Sequence, residues 1–273
     1  MIHVADEAEA AARRAGQMIE ERRGGALTIE TKAEGLSRAS SVVTEVDRDA
    51  QALILEHLQP SREAFDLALL TEENEDDGSR FEKACFWCID PLDGTLPFVE
   101  DKPGYSVAIA LVSRTGTPLI GIIFDPRTRR LYRAVQGGGA TRNGEPWQLE
   151  TPGASKPLTF FADRSFAEDP CRGPILAGLE AMDYAGLRTP FPGGASLNAC
   201  WALEQAPGCY VKRPRSKPGG GSLWDFSASA CIVGEAGGVA SDIYGHPLDL
   251  NRADSTFMNH RGVLFASDPR LAE

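Results

Sequence analysis

Six residues, Asp90-Pro91-Leu92-Asp93-Gly94-Thr95, constrain this chain more than any other segment. They follow Cys85 to Ile89, where Phe86, Trp87 and Ile89 read as a buried strand. Pro91 cannot donate to a sheet ladder, and Gly94 accepts the backbone of a sharp turn. The strand is therefore expected to close in an irregular turn that carries two carboxylates and a hydroxyl. Asp90 and Asp93 can then point into one small space, joined by the Leu92 carbonyl. Hard oxygen donors of this kind suit magnesium, which keeps several waters and shares its ligands with substrate phosphate. If a helix starts at Gly94-Thr95, its unpaired N–H groups favour an anion in the same space. Taken alone, the segment also reads as a solvated Asp/Pro/Gly turn.

At 273 residues the chain can bury a large core, as one big domain or two tightly joined halves. Its 39 acidic residues against 28 basic ones leave a formal charge of −11. That balance disfavours a nucleic-acid polymer as partner. A small phosphorylated substrate stays open, because metal ions can supply the positive charge. No run approaches the roughly 18 apolar residues of a membrane span. The Ala-rich, charged stretch from Ala5 to Arg23 is no signal peptide, so a cytoplasmic setting is expected. Cys85 and Cys88 form a C-x-x-C without a second pair for zinc, and read as buried free thiols.

Residues 4–23 read as a helix ending at Gly24-Gly25, and Lys32 to Ser41 as a polar loop. A second helix begins near Thr44, with Val46, Ala50, Leu53, Ile54 and Leu58 on its inner face. Ala68 to Thr71 is a short predicted strand. Tyr105, Val107, Ile109 and Leu111 alternate as in a half-buried strand, with Leu119–Phe124 and Leu131–Val135 as antiparallel neighbours. Asn143-Gly144 signals a tight turn. After about residue 150 strands and helices alternate: strands at 158–162, 187–189 and 208–212, helices at 174–184, 195–205 and 225–236. The pattern suggests an α/β protein of two layered halves, 1–150 and 151–273.

Three further carboxylates stand at marked positions. Glu72 closes a predicted strand; in isolation it reads as surface charge. Asp225 begins a predicted helix, where an N-cap is the plain role. Asp47 lies three residues after Thr44, the spacing of a capping arrangement. The conjunction of all five carboxylates is what needs explaining.

Val43-Thr44-x-x-Asp47, Thr71-Glu72-Glu73, the hexapeptide, and Trp224-Asp225 followed by Glu235-Ala-Gly-Gly238 resemble the ordered motifs of the inositol monophosphatase superfamily. The resemblance runs from the first helix to Asp268. It implies a layered αβαβα sandwich, shared with fructose-1,6-bisphosphatases, and often a homodimer. It also implies a lithium-sensitive phosphomonoesterase with two or three Mg2+ per site. Glu72, Asp90 and the Leu92 carbonyl would hold the metal that activates water. Asp90, Asp93 and Asp225 would hold the one facing the leaving group. Glu72 and Thr95 would orient the water, with Asp47 hydrogen-bonded to Thr95. The N–H groups of Gly94 and Thr95 would hold phosphate, while Gly193, Gly194 and Ala195 would line the sugar-like pocket.

The rival D-x-D-x-T phosphatase chemistry fails on spacing, since Asp90 and Asp93 are three apart. None of the four histidines fits a nucleophile pattern. For the substrate, Leu96-Pro97-Phe98 departs from both the inositol-phosphate and the nucleotidase continuations. Lys212, Arg213, Arg215 and Lys217 cluster before Trp224, and the tail Gly245–Asn259 resembles bacterial 3′(2′),5′-bisphosphate nucleotidases. Cations there would welcome a second phosphate. The expected substrate is therefore 3′-phosphoadenosine 5′-phosphate, with Arg213 binding it. An inositol-1-phosphate-type enzyme is the alternative, and a non-catalytic phosphometabolite-binding relative the second.

Overall fold

The computed structural model describes residues 1–25, 29–31, 42–149 and 156–272; the Lys32–Ser41 segment lies outside them. Helix α1 (Ile2–Arg22) buries Val4, Ala8, Ala11, Ala12, Ala15 and Ile19. Its small residues let α2 (Glu45–Ala64) pack against it through Val46, Ala50, Ile54 and Leu58. Leu53, expected on that face, is only half-buried. Two short strands, β1 (Ile29–Thr31) and β2 (Val42–Thr44), pair antiparallel just before α2.

Seven strands follow in sequence order within one sheet. They are β3 (Ala68–Thr71), β4 (Cys85–Asp93), β5 (Ser106–Ser113), β6 (Pro118–Asp125), β7 (Arg130–Val135), β8 (Gly139–Arg142) and β9 (Glu145–Pro146). β3 and β4 run parallel and the later pairs antiparallel. The tight turn expected at Asn143-Gly144 joins β8 to β9, both residues having positive φ (54° and 85°).

Two expectations change. β5 is buried on both faces: Val107, Ile109 and Leu111 meet the α1/α2 layer, while Ala108, Ala110 and Val112 meet a second core. The sheet is central, so neither face is left to water. β4 does not stop before Pro91 but continues to Asp93. Asp90 stands opposite Ala108 and Asp93 opposite Ser106, so Pro91 and Leu92 together span the single residue Val107. That is a bulge, the place where a sheet tolerates a proline. Immediately after it comes the short helix α3 (Thr95–Val99), entered through Gly94 at φ 87°.

The second sheet holds β10 (Leu158–Phe161), β11 (Leu187–Arg188), β12 (Gly208–Lys212), β13 (Val239–Ser241) and β14 (Val263–Ala266), in the order β11-β10-β12-β14-β13. Helix α4 (Arg172–Glu180) covers its outer face through Ile175, Leu176 and Leu179. Between the sheets lie α5 (Ala195–Glu204) and α6 (Leu223–Glu235), apolar nearly all round because both of their faces meet protein. The layers run α1/α2, seven-stranded sheet, α5/α6, five-stranded sheet, α4, which is the αβαβα sandwich.

Close approach of α6 to the first sheet depends on Gly121 of β6. A Cβ there would lie 2.4 Å from the Ala228 carbonyl oxygen and 2.9 Å from Cys231 Cβ. Gly121→Ala is expected to push α6 outward at about 1–3 kcal/mol. Thermal unfolding checks this: a fall of several degrees in Tm supports the contact, and an unchanged Tm contradicts it.

Candidate metal centre

The bulge in β4 is the local cause of the site. Residues three apart face opposite sides of a regular strand. One extra residue between Asp90 and Asp93 turns both to the same side. Asp225 reaches them from α6, and the three side chains offer oxygens that all lie within 4.8 Å of one another. Asp90 and Asp93 are buried and Asp225 half-buried. Glu72 follows β3, the parallel neighbour of β4. Its N–H donates to the Ile89 carbonyl at 3.2 Å, and its charge is the largest, after burial, of those that hold Asp90 protonated. Thus Glu72 joins the cluster beside Asp90.

The helix carrying Asp225 begins at Leu223 rather than at Asp225. Ser222 takes the N-cap position, and its N–H donates to Asp225 Oδ2 at 2.6 Å. Asp225 is therefore the third helical residue, able to satisfy a free N–H and still face the cluster. Asp47 does two things at once. Its Oδ2 accepts from the Thr44 N–H (2.8 Å) and Thr44 Oγ1 (2.6 Å), closing the start of α2. Its Oδ1 lies 2.9 Å from Thr95 Oγ1, which also lies 3.2 Å from the Leu92 carbonyl. The capping role and the contact with Thr95 coexist.

Burial and mutual repulsion set the acidities. Asp90 is held well above the usual carboxylate range, first by burial and then by Glu72, Asp93 and Asp225. Asp93 is pushed up to about 7 by burial and by Asp225, against the opposing pull of the Ser196 and Ala195 N–H groups. Burial also raises Asp47, opposed by its bonds from Thr44 and Thr95. Carboxylates buried together in this way want positive charge, and an all-oxygen set fits a hard divalent cation such as Mg2+.

The residues expected around the substrate divide. Gly194 and Ala195 do reach the cluster, while Gly193 lies against Gly104 and Trp201: the Ala195 and Ser196 N–H groups donate to the two oxygens of Asp93, at 3.0 and 2.7 Å, and Gly194 packs on the same carboxylate. The basic segment is occupied by neighbours instead. Lys212 Nζ pairs with Asp163 at 2.7 Å, Arg213 with Asp169 at 2.5 Å, and Arg215 donates to Ser165 at 2.8 Å. Sequence reasoning missed Asp163 and Asp169 because β10 and β12 are neighbours in the sheet but distant in the chain. It also missed Tyr210, whose hydroxyl donates to Asp163 at 2.7 Å, and Asn198, which binds the Gly193 backbone. The Cys85 and Cys88 thiols are free, and burial pushes Cys88 up to about 12, which disfavours the reactive thiolate.

A sequence profile of the inositol monophosphatase family matches residues 2–272. The chain belongs to the inositol monophosphatase family. Members are magnesium-dependent phosphatases, and this chain is a phosphoric monoester hydrolase of that kind. It is 35% identical over 222 residues to the inositol-1-monophosphatase of Synechocystis, covering 78% of this chain and 71% of the relative. It is 29% identical over 268 residues to the Nus factor SuhB of Vibrio cholerae, covering 95% and 89%. Among solved structures it resembles an IMPase of Thermotoga maritima, with TM-score 0.73 and 25% identity over 98% of this chain and 92% of that one. No described helix is long and apolar enough to cross a membrane.

Proposed function

We propose that this chain hydrolyses a single phosphomonoester of a small polyol, of the inositol-1-phosphate type. The observation that carries the chemistry is the convergence of Asp90, Asp93 and Asp225 within 4.8 Å. Glu72, Asp90 and the Leu92 carbonyl would hold one Mg2+; Asp90, Asp93 and Asp225 would hold another. Bound magnesium lowers the pKa of a water and neutralises charge on the phosphate and leaving oxygens. The chain's own part is positioning. Thr95 directs its hydroxyl proton to Asp47, which leaves its lone pairs free to accept from a water. Glu72 accepts the water's other proton. The Gly94 and Thr95 N–H groups bind phosphate, and the Gly193–Ala195 turn lines the alcohol side.

The cation pairings favour the polyol over 3′-phosphoadenosine 5′-phosphate. A second phosphate would have to displace Asp163 from Lys212 and Asp169 from Arg213, leaving two carboxylates without their cations. The Synechocystis relative is an inositol-1-monophosphatase by name, which supports the same choice. All five expected carboxylates are present, which favours catalysis over a purely binding role. Comparing kcat/KM for the two substrates, with and without Mg2+, tests the proposal. At least a tenfold preference for inositol-1-phosphate, about 1.4 kcal/mol, is expected; the reverse preference sinks it.

The Lys212–Asp163 pair is suited to reading hydroxyls. Lys212 Nζ lies 5.4 Å from the Phe226 ring centroid, one residue beyond Asp225, and a Cβ on Gly221 would meet it at 2.9 Å. A donor and an acceptor thus stand side by side next to the start of α6. Lys212→Gln is expected to raise KM for inositol-1-phosphate about tenfold, the loss of one charged hydrogen bond. Hydrolysis of p-nitrophenyl phosphate, which has no hydroxyls to read, should hold within about twofold. Equal losses on both substrates would contradict this role.

A further inference from the structure

Asp93 is oriented by a chain of contacts that starts at Asn198. Asn198 is fully buried in the first turn of α5, yet its amide points out of the helix. Its Oδ1 accepts the Gly193 N–H at 2.8 Å, and its Nδ2 donates to the Gly193 carbonyl at 3.1 Å. Both backbone groups of one residue are thereby held by one side chain. The next residue is held as well: the Gly194 N–H donates to the Gly104 carbonyl at 2.7 Å, and the Gly194 carbonyl accepts from the Asn198 N–H at 3.0 Å. With 193 and 194 fixed, the following two N–H groups, of Ala195 and Ser196, aim at Asp93. The bare Gly194 admits the carboxylate, since a Cβ there would lie 2.5 Å from Asp93 Oδ1 and 2.6 Å from Oδ2.

A carboxylate that accepts an N–H on each oxygen has a fixed plane. Only its remaining lone pairs can face Asp90 and Asp225. We propose that Asn198 is a positioning residue of the metal centre, acting through the Gly193–Gly194 turn to fix the Asp93 carboxylate for Mg2+. The proposal rests on Asp93 being a metal ligand. Asn198 itself touches neither metal nor substrate. Partners that orient a ligand in this way typically change metal affinity by about 10–100-fold when removed.

The test is a Mg2+ titration of the intact protein, followed both by thermal shift and by turnover. Asn198→Ala is expected to raise the half-saturating Mg2+ concentration about 10–100-fold in both readouts, with kcat at saturating Mg2+ falling much less. Asn198→Asp keeps the acceptor for the Gly193 N–H and loses the donor, so its rise should be smaller; it also carries the test if the alanine variant does not fold. A purely structural asparagine would lower Tm equally at every Mg2+ concentration and leave half-saturation unchanged, and that result overturns the proposal. A wild-type protein whose Tm does not respond to Mg2+ overturns the underlying metal reading instead, so the two failures can be told apart.

Discussion

Asp93→Asn is expected to reduce turnover by at least about a thousandfold, about 4 kcal/mol of transition-state stabilisation, without harming the fold. The substitution is nearly isosteric, so packing against Gly194 survives. It removes one negative charge from a cluster whose members repel one another in a buried setting. It also turns one acceptor into a donor facing an N–H of Ala195 or Ser196, a mismatch of about 1–3 kcal/mol. Relief of repulsion and the new mismatch oppose each other in the metal-free protein, so its Tm should change little. The Mg2+-dependent rise in Tm should largely vanish, because the amide is a poorer ligand. Activity and stability are thereby separated. A variant that melts early without metal, or that turns over near the wild-type rate, contradicts the assignment of Asp93 to chemistry.

The local features were legible because each has a short-range cause. The stripe Val46, Ala50, Ile54 and Leu58 marks α2 by period alone, and Asn143-Gly144 marks its turn by backbone preference. Pro91 signalled an irregular strand end, although the outcome was a bulge inside β4 rather than its termination. Which of those it is depends on whether β5 runs on alongside, and that is set by the partner strand. The burial of both faces of β5 was hidden for a similar reason. Ala108 and Ala110 look unremarkable in sequence, yet they are small because α6 packs against them.

At the site, the motif order identified which carboxylates meet, but not what else they touch. Asp225 looked like a helix cap; only the fold shows Ser222 as the cap and Asp225 as the third helical residue. The basic run at 212–217 looked available for phosphate. Its counterions Asp163 and Asp169 come from the segment between β10 and α4, and nothing local announces that pairing. Asn198 gave no signal either, since an asparagine in a helix's first turn usually serves its own helix. Long-range electrostatic partners are thus the part that sequence hides, and the proposed substrate preference rests on them.

Removing metal should make stability fall as pH rises, the opposite of an ordinary acid-sensitive protein. Asp93 has its pKa pushed up to about 7 in the folded chain, against roughly 3.9 when unfolded. Between those values the folded state binds more protons than the unfolded state, so unfolding becomes easier with increasing pH. The stabilisation is fully present below the unfolded value and is lost as pH passes through the folded one. Asp90 is shifted in the same direction and adds to the loss. The pairs Asp101 with Arg23 and Asp268 with Arg270 work the other way, since their carboxylates are lowered. Their stabilisation is lost only in acid, near and below the ordinary carboxylate range, so the change between pH 5.5 and 8 belongs to the buried acids, with Asp47 and Asp125 acting in the same direction as the cluster and His260, lowered by burial, acting against it. Across it Asp93 alone accounts for about 2 kcal/mol, or roughly 4–8 °C in Tm. Saturating Mg2+ should act most strongly at pH 8, because it binds the deprotonated cluster and no longer competes with protons there. At a hundredfold excess over Kd it adds about 2.7 kcal/mol. Melting curves in EDTA and in Mg2+ at pH 5.5, 7 and 8 measure both effects. A metal-free Tm that climbs from pH 5.5 to 8, or a Mg2+ shift that ignores pH, would mean that the buried acids of β4 are not held together without their cation.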